Sequence, residues 1–295
     1  MLYNLENEFL TINAHEHGGE IYSIKSKLDD TEFVWNGDPT YWKYHTPALF
    51  PIVGKVIDGK YTVDGKTYEL PQHGLARTSL FTLKEKTDSS ISFELKYSDE
   101  SLKVYPYKFS LIIKHSLEGK KVKTTYIVKN LDNKTINFSI GSHPAYMCPL
   151  LEGESLNDYF FEFNEKETTS LMLLNPANGL FTHNTKASLQ NENQIPLSKE
   201  LFKNDALVFD CSKIKSTKIA VKTNNHNKFI EFDFTDFSHL GLWAPAGGAP
   251  FLCIEPWFGH ADFEDFNGDF SEKSGMLSLD ENKEFTCSYS LIINE

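Results

Sequence analysis

The chain has few clustered cations and almost no arginine. Arg77 is the single arginine among 29 basic residues, and the formal net charge is −12. Because a nucleic-acid backbone is bound through clustered cations, this charge balance argues against a nucleic-acid partner. Two explanations stay open for Arg77. It occupies a position that needs a planar fork of donors rather than a point charge, or it stands there by chance.

Long hydrophobic runs and paired cysteines are also missing. The longest uncharged stretch, residues 240–254, is interrupted by Pro245, Gly247, Gly248 and Pro250, and the N-terminal "MLYNLENEFL" has no signal-peptide pattern. We therefore expect a soluble protein with no membrane partner. The four cysteines contain no C-x-x-C pair, which argues against a zinc module or a disulfide framework and favours a reducing cytoplasm.

Alternating apolar and polar residues recur along most of the chain. Residues 107–116 ("YKFSLIIKHS"), 122–128 ("VKTTYIV") and 136–141 ("INFSIG") each show the two-residue period of a half-buried strand. Because short turn segments separate them, we expect the three to form an antiparallel meander.

Hairpin signals extend the same pattern to both ends of the chain. Asp64-Gly65 lies within "YTVDGKTYEL", residues 224–227 divide "TKIAVKTNNHNKFIEFDF", and residues 285–293 alternate again. Only "SLNDYFFEF" and "LSKELFKN" look helical. With no repeat or linker, the sequence predicts one all-β domain over residues 1–295, built as a large antiparallel sandwich. Its 23 Phe, 13 Tyr and 4 Trp supply the core and leave rings for stacking on a sugar.

Two histidines and one glutamate stand where side chains can be held for chemistry. His73 follows a hairpin in "LPQHGLAR", His143 follows a strand in "GSHPAY", and Glu255 interrupts the apolar run "FLCIEPWFG". A carboxylate in such a run is costly unless it is exposed, paired or used chemically. A histidine and a carboxylate in one pocket suffice for general acid/base work near neutral pH.

These segments resemble the aldose 1-epimerase, or galactose mutarotase, family, and within it the LacX-like branch. The likeness covers nearly the whole chain through "VGKVIDGKYTVDGKTYELPQHGLAR", "IGSHPAY", "KNDALVFD" and "LCIEPWFG" in the family's order. It implies a galactose mutarotase-like β-supersandwich that binds a sugar in a groove and uses no metal or organic cofactor.

The resemblance also implies roles for particular residues. His143 matches the histidine that protonates the ring oxygen, and Glu255 the glutamate that takes the proton of the anomeric hydroxyl. His73 matches a histidine that orients the sugar, and Asp205 of "KNDALVF" a carboxylate that hydrogen-bonds sugar hydroxyls. Activity then requires Glu255 ionised and His143 protonated, so we expect a bell-shaped pH profile with the carboxylate on its acid limb and the imidazole on its alkaline limb.

The chain departs from the better-known mutarotases before the first hairpin. Where those enzymes carry arginines, "VGKVIDGK" has Lys55, which we assign to the substrate site together with Arg77. The run "HGLAR" is similar to one in the related hexose-6-phosphate epimerases. The predicted substrate is therefore a free hexose or a phosphorylated one.

Two other functions are compatible with the same residues. Asp205 and Glu255 could form the carboxylate pair of a glycoside hydrolase, and a non-catalytic sugar-binding sandwich would use His143 and Glu255 only as hydrogen-bonding groups. The histidine of "GSHPAY" favours the epimerase. The histidines of "HEHGGE" have a spacing that could bind a metal but no evident third ligand, and "DFNGDF" has its glycine at the fourth rather than the sixth position of a calcium loop, so no metal is predicted.

Overall fold

The computed structural model describes all 295 residues, and strands account for most of its regular structure. In the first half of the chain the strands are β1 (Leu2–Glu6), β2 (Leu10–His15), β3 (Glu20–Ser26), β4 (Ala48–Leu49), β5 (Lys60–Val63), β6 (Lys66–Glu69), β7 (Thr82–Lys86), β8 (Ser90–Lys96), β9 (Phe109–Glu118), β10 (Lys121–Asn130) and β11 (Ile136–Phe138).

The second half continues with strands of very different length. They are β12 (Ile140–Ser142), β13 (Ala145–Met147), β14 (Tyr159–Leu174), β15 (Phe181–Pro196), β16 (Leu207–Asp210), β17 (Lys218–Thr223), β18 (Phe229–Asp233), β19 (His239–Trp243), β20 (Phe251–Phe258), β21 (Leu277–Leu279) and β22 (Glu284–Asn294).

Helices are short and few. One α-helix, α1 (Asp99–Val104), is joined by six single-turn 3-10 helices at Ile57–Gly59, Ala76–Thr78, Leu156–Asp158, Lys199–Phe202, Cys211–Lys213 and Phe270–Glu272. None of these helices has the length and apolar character needed to cross a membrane. The sequence analysis missed α1, although Ser98 and Ser101 form a capping box at its start and two acidic residues follow Ser98.

Most strands belong to one large antiparallel sheet. Its order is β4-β12-β20-β19-β16-β14-β17-β18-β22-β10-β9-β8-β7, with β13 added beside β20 and β15 beside β14. Three small sheets, β1-β2-β3, β5-β6 and β11-β21, complete the structure. The main hydrophobic cluster reaches from Leu5 to Ile293 and so joins the two ends of the chain. The predicted all-β class is confirmed.

Two local predictions were correct and one was wrong. The hairpins β5-β6 and β17-β18 form at their predicted turns. The predicted meander contains only β9 and β10, because β10 pairs with β22 on its other side. Residues 136–141 are instead split between β11 and β12, which join different sheets. Long-range pairing thus overrode the local strand order.

The two segments predicted to be helical behave differently. "LSKELFKN" does contain one 3-10 turn. "SLNDYFFEF" has only a 3-10 turn at its start and then enters β14, where Tyr159, Phe161 and Phe163 are buried and alternate with less buried neighbours. The two-residue period of these rings, rather than the polar residues before them, therefore decided the conformation.

Candidate active site

A groove with a volume of 520 Å³ brings together every residue predicted for the site. We call it the central groove. The predicted residues that line it are Lys55, His73, Arg77, His143, Asp205 and Glu255. The first and last of these residues, Lys55 and Glu255, are about 200 positions apart in the sequence. The order of the strands around β20 brings them together.

The side chains of β20 point alternately to its two faces, and this alternation determines where Glu255 lies. Leu252 and Ile254 point into the main core, whereas Cys253 and Trp257, two residues on either side of Glu255, pack into separate smaller clusters. Glu255 lies on this second face, is 1% exposed, and lines the central groove. The apolar run of the sequence is therefore a central strand whose groove face carries one carboxyl group.

His143 follows β12 and is held by both backbone and ring contacts. Its N–H donates to the carbonyl of Pro47 over 3.0 Å. Its imidazole stacks on Trp42 at 4.7 Å between ring centroids and meets the edge of Trp243 at 5.4 Å. Its Nε2 lies 3.3 Å from Oε1 of Glu255. These contacts fix the direction in which the ring can exchange a proton.

Burial opposes charge on both members of this pair. It raises the pKa of the Glu255 carboxyl well above its ordinary value, and the neighbouring Asp205 raises it further. Burial also lowers the pKa of His143 to about 3, with Arg77 adding to the effect. Both shifts favour a pair that holds one proton as a carboxylic acid beside a neutral imidazole. The forms expected from the sequence, an ionised Glu255 and a protonated His143, also hold one proton in total, but they hold it on the imidazole.

His73 has its neutral tautomer set by the backbone. The N–H of Gly54 donates to His73 Nδ1 over 3.1 Å, so Nδ1 is unprotonated and Nε2 carries the hydrogen. Burial lowers the pKa of His73 well below its usual value, and the positive charge of neighbouring groups acts in the same direction. Its φ of 67° is in the left-handed region. His73 is thus a fixed neutral donor in a strained backbone conformation.

The segment that holds His73 is itself anchored by a buried ion pair. Lys273 Nζ lies 2.8 Å from Oδ1 of Asp262, and both side chains are nearly inaccessible. Asp262 Oδ2 accepts the N–H of Ile57 over 3.0 Å, and the Asp262 N–H donates to the carbonyl of Lys55 over 2.9 Å. The contacts of Asp262 with Lys55 and Ile57 therefore fix this segment in place.

Arg77 lies in the 3-10 turn after His73 and keeps donors available. Its guanidinium lies 4.8 Å above the ring of Tyr44, and one terminal nitrogen donates to the carbonyl of Gln72 over 2.7 Å. Its Nε is buried without a hydrogen-bond partner. Burial lowers the pKa of Arg77. Cation–π stacking thus orients a fork of donors beside the groove.

Asp205 and Lys55 also line the groove. Asp205 has a φ of 81°, a second non-glycine residue in the left-handed region, and its Oδ1 accepts the N–H of Ala206 over 2.8 Å. Lys55 Nζ donates to the carbonyl of Asn178 over 3.0 Å. An ammonium has three donors, so this contact leaves Lys55 able to bind a second group.

The sequence analysis did not select four residues that offer an indole or an ammonium group to the groove. They are Trp42, Trp243, Trp257 and Lys203. The abundance of aromatic residues was the only signal for Trp42 and Trp243, whereas Trp257 and Lys203 lie within the quoted segments "LCIEPWFG" and "KNDALVFD" but were not selected there.

Trp257 lies where two strands carry glycine. A Cβ atom added at Gly241 would come within 2.6 Å of the Trp257 ring, and one at Gly141 within 2.8 Å. Gly241 is the register partner of Glu255 on β19, and Gly141 is that of Trp257 on β12. The two glycines therefore make the space in which the indole lies beside Glu255.

Only one set of side chains in the protein has the proximity of a metal site. His143, Cys253 and Glu255 each offer a ligand atom within 4.8 Å of the other two. Neither the histidines of "HEHGGE" nor the acidic residues of "DFNGDF" belong to such a set.

Comparison with known proteins gives consistent matches over the whole chain. Residues 1–276 match the family described as Aldose 1-epimerase. The chromosomal LacX protein of Lactococcus lactis is 35% identical, and the alignment covers 99% of each chain.

Two solved structures share both the fold and part of the sequence. A galactose mutarotase related enzyme from Lactobacillus acidophilus has a TM-score of 0.95 and 33% identity, over 100% of this chain and 98% of its own. A galactose mutarotase-like protein from Lactobacillus casei has a TM-score of 0.92 and 27% identity, over 99% and 100%. The predicted LacX-like resemblance and the predicted sandwich fold are confirmed.

Proposed function

The chain belongs to the aldose 1-epimerase family, and we propose that it interconverts the α and β anomers of a hexose by acid/base ring opening and closure in the central groove. Membership of this family makes it an isomerase-type enzyme that acts on a sugar. The single observation that carries the mechanism is the 3.3 Å contact between His143 Nε2 and Glu255 Oε1 at the groove wall. Two such groups can reach the two oxygens of one hemiacetal.

Ring opening moves one proton from the anomeric hydroxyl to the ring oxygen. The Glu255 carboxylate accepts the hydroxyl proton, the bond between C1 and the ring oxygen breaks, and the His143 imidazolium protonates the departing oxygen. The aldehyde then turns about the C1–C2 bond. Closure on its other face reverses the transfers, because His143 takes the proton back and Glu255 protonates the new anomeric oxygen.

The proton distribution of the free protein fits one stage of this cycle. A protonated Glu255 beside a neutral His143 is the form that ring opening produces, and it is the form required for closure. The cyclic sugar requires the charged form of the pair, which hydrogen bonds from its hydroxyls stabilise in the groove. One proton therefore serves both directions, and the chain's own residues complete the cycle.

Neighbouring side chains are suited to hold the sugar. His73 offers an N–H at Nε2, Asp205 a carboxylate and Arg77 a guanidinium, so donors and an acceptor converge on the same groove. Trp42 and Trp243 offer apolar faces to the C–H side of a pyranose ring. Their combined role is to keep the hemiacetal between the two groups that exchange protons.

Anomer exchange of fresh α-galactose or α-glucose, followed by polarimetry, tests the proposal. Glu255→Gln and His143→Asn should each lower the rate at least about 100-fold, the contribution of one positioned proton transfer. Glu231→Gln is the matched control, because this glutamate lies on β18 in an ion pair with Lys218. Release of reducing ends from a glycoside would identify a hydrolase instead, and sugar binding without rate enhancement would identify a binding protein.

A phosphorylated hexose is the second candidate substrate. Three cations, Lys55, Arg77 and Lys203, line the groove of a protein whose net charge is −12, and none of them pairs with a carboxylate. Lys203→Met should lower kcat/KM for a hexose 6-phosphate about 10- to 100-fold, the value of a charged hydrogen bond, and leave that for the free hexose nearly unchanged. Equal losses on both sugars would argue against a phosphate at Lys203.

A further inference from the structure

A buried cysteine stands beside the acid/base pair without a part in the proposed proton transfers. Cys253 is inaccessible to solvent and lies two residues before Glu255 on the same face of β20. We propose that Cys253, His143 and Glu255 bind a thiophilic divalent cation of the Zn²⁺ or Cd²⁺ type, and that this cation blocks the acid/base pair when it is bound.

The three ligand atoms are already close to the geometry such an ion needs. The imidazole nitrogen, the thiol sulfur and a carboxylate oxygen all lie within 4.8 Å of one another, and His143 and Glu255 are 3.3 Å apart. Bonds of about 2.0 to 2.3 Å around a tetrahedral zinc place neighbouring ligand atoms roughly 3.3 to 3.7 Å apart. Side-chain movements of about 1 Å therefore close the site.

The donor types select the ion. One nitrogen, one sulfur and one oxygen match zinc and cadmium, whereas magnesium and calcium prefer oxygen ligands alone. The other three cysteines have no comparable surroundings, since no second group of this kind exists in the protein. The site is thus a property of the position of Cys253 and not of cysteine in general.

His143 also has unused capacity for a ligand. Its Nδ1 is buried and has no hydrogen-bond partner in the protein. The residue is only 7% exposed, so solvent has little access to it. A buried imidazole with one unpartnered nitrogen beside a thiol is unusual in a region formed only for packing. Either ring nitrogen can therefore become a ligand without breaking a hydrogen bond to the rest of the protein, beyond the contact with Glu255.

Access and the fourth ligand both come from the central groove. His143 and Glu255 line the groove and Cys253 lies behind them, so an ion entering from the groove meets the thiol last. Three protein ligands leave one position for water or a sugar hydroxyl. Binding releases the thiol proton and the proton shared by the pair to solvent, which leaves neither an acid nor a base. The blockade, but not the binding, rests on the proposed function.

Titration of the metal-free protein with Cd²⁺ tests the binding directly. A cadmium–thiolate bond gives an ultraviolet charge-transfer band, and we expect one equivalent to saturate it. Cys253→Ser should abolish the band and weaken binding at least about 100-fold, more than the 10- to 100-fold that loss of an outer partner costs. Cys287→Ser is the control, because Cys287 is also buried on a strand and lies in no ligand set.

Two outcomes would overturn the site: no band with the parent protein, or the same loss of the band in both serine variants. Should Cys253→Ser fail to fold, Glu255→Gln replaces it, and the expected result is weaker binding with the thiolate band retained. This readout needs no turnover, so an inactive protein would disprove the proposed function while the cadmium result still stood.

Inhibition is measured separately. Zn²⁺ at concentrations that occupy the site should slow anomer exchange of the parent and Cys287→Ser proteins, and a chelator should restore the rate. Each variant is compared with its own rate without metal. In Cys253→Ser, the Zn²⁺ concentration that gives the same fractional inhibition as in the parent should be at least about 100-fold higher, matching the loss of affinity. Bound Zn²⁺ that leaves the parent rate unchanged would overturn the blockade.

Discussion

Glu255 combines a central position in a strand with almost complete burial, and both have an energetic consequence. The carboxyl lies between Cys253 and Trp257 on one face of β20 and meets His143 at 3.3 Å. The protein holds this group in a place where ionisation is opposed by burial and by Asp205. Such a position is unfavourable for stability and favourable for a base that must take a proton from a weak acid.

Glu255→Gln should therefore stabilise the protein, and more so at higher pH. A folded-state pKa raised above 4.5 contributes stability below pH 4.5, and that contribution is lost as the pH rises through the folded value. The neutral amide has no such dependence. Thermal unfolding should show similar melting temperatures near pH 4 and a gain of about 2 °C or more for the variant at pH 8. A gain that is constant with pH would contradict this account.

The catalytic pH profile should be a bell whose limbs are assigned in the reverse of the expectation from sequence. The active pair carries one proton. A second proton adds to His143, whose pKa is lowered to about 3, and the last proton leaves Glu255, whose pKa is raised. The acid limb then follows the imidazole and the alkaline limb the carboxyl, as macroscopic constants of the pair.

The measurement is kcat/KM against pH, together with imidazole NMR shifts of the free protein. We expect His143 to stay neutral between pH 4 and 8. A His143 resonance that titrates near 6.5, lost in His143→Asn, would restore the original assignment of the limbs.

At the scale of elements, the site depends on how β19, β20 and β12 lie side by side. Cross-strand register places Gly241 opposite Glu255 and Gly141 opposite Trp257. The absence of two side chains lets one large ring lie against the sheet next to the reactive carboxyl. Strand register is thus a determinant of active-site shape in this protein.

Gly241→Ala tests that role. The new methyl group would come within 2.6 Å of two Trp257 ring atoms, so the indole must move into the groove. We expect a loss of about 1 to 3 kcal/mol in unfolding free energy from overpacking, measured with urea. Anomer exchange should slow about 100-fold, the cost of a 1 Å misplacement.

Gly247→Ala is the control, because a Cβ there has nothing within 4 Å. Parent-like rates in Gly241→Ala would show that the position of Trp257 does not affect the reaction.

At the scale of the molecule, buried ionisable groups set how stability varies with pH. The pKa of the buried His73 lies well below 6.5, and that of His115 is lowered to about 4. The buried Glu20 has a pKa raised to about 8. Desolvation is the first cause in each case. Histidines held neutral and carboxyls held protonated act in opposite directions as pH changes.

The free energy of unfolding should consequently reach its maximum near pH 6.5. As pH falls from 8 to 6.5, Glu20 favours the folded state, since only that state binds its proton. Below pH 6.5 these histidines bind protons in the unfolded chain but stay neutral in the folded state, so the free energy of unfolding falls. Urea unfolding from pH 5 to 8.5 measures this, and a stability that rises steadily down to pH 5 would contradict it.

Much of the architecture was predictable because strand patterns are local. The alternation of apolar residues gave the strands β9, β10 and β22, and Asp64-Gly65 gave a hairpin. The third strand of the meander was not predictable, because its partners β20 and β21 lie more than 100 residues away. In "SLNDYFFEF", by contrast, the two-residue period of the rings was visible in the sequence, and the strand that it indicates pairs with β17 from Tyr159 onward.

The candidate site was also predictable in part, because short motifs identify some of its residues. The motifs around His73, His143 and Glu255 identified the residues through family resemblance, and all of them line one groove. Lys203 begins the segment "KNDALVFD", but its neighbours did not mark it as a groove residue, and nothing in the sequence indicated that Trp42 would stack on His143. Residues that enter a site from loops cannot be recognised until the sheet has placed those loops.

By itself the sequence determined the all-β class, the family, and the chemical types available for acid/base work, because periodicity and short motifs are properties of neighbouring residues. Only the tertiary structure decided that His143 and Glu255 lie 3.3 Å apart and that burial favours the neutral form of each. It alone placed Cys253 beside them. These properties arise from pairing between distant strands and from exclusion of water, and neither is written in any single segment.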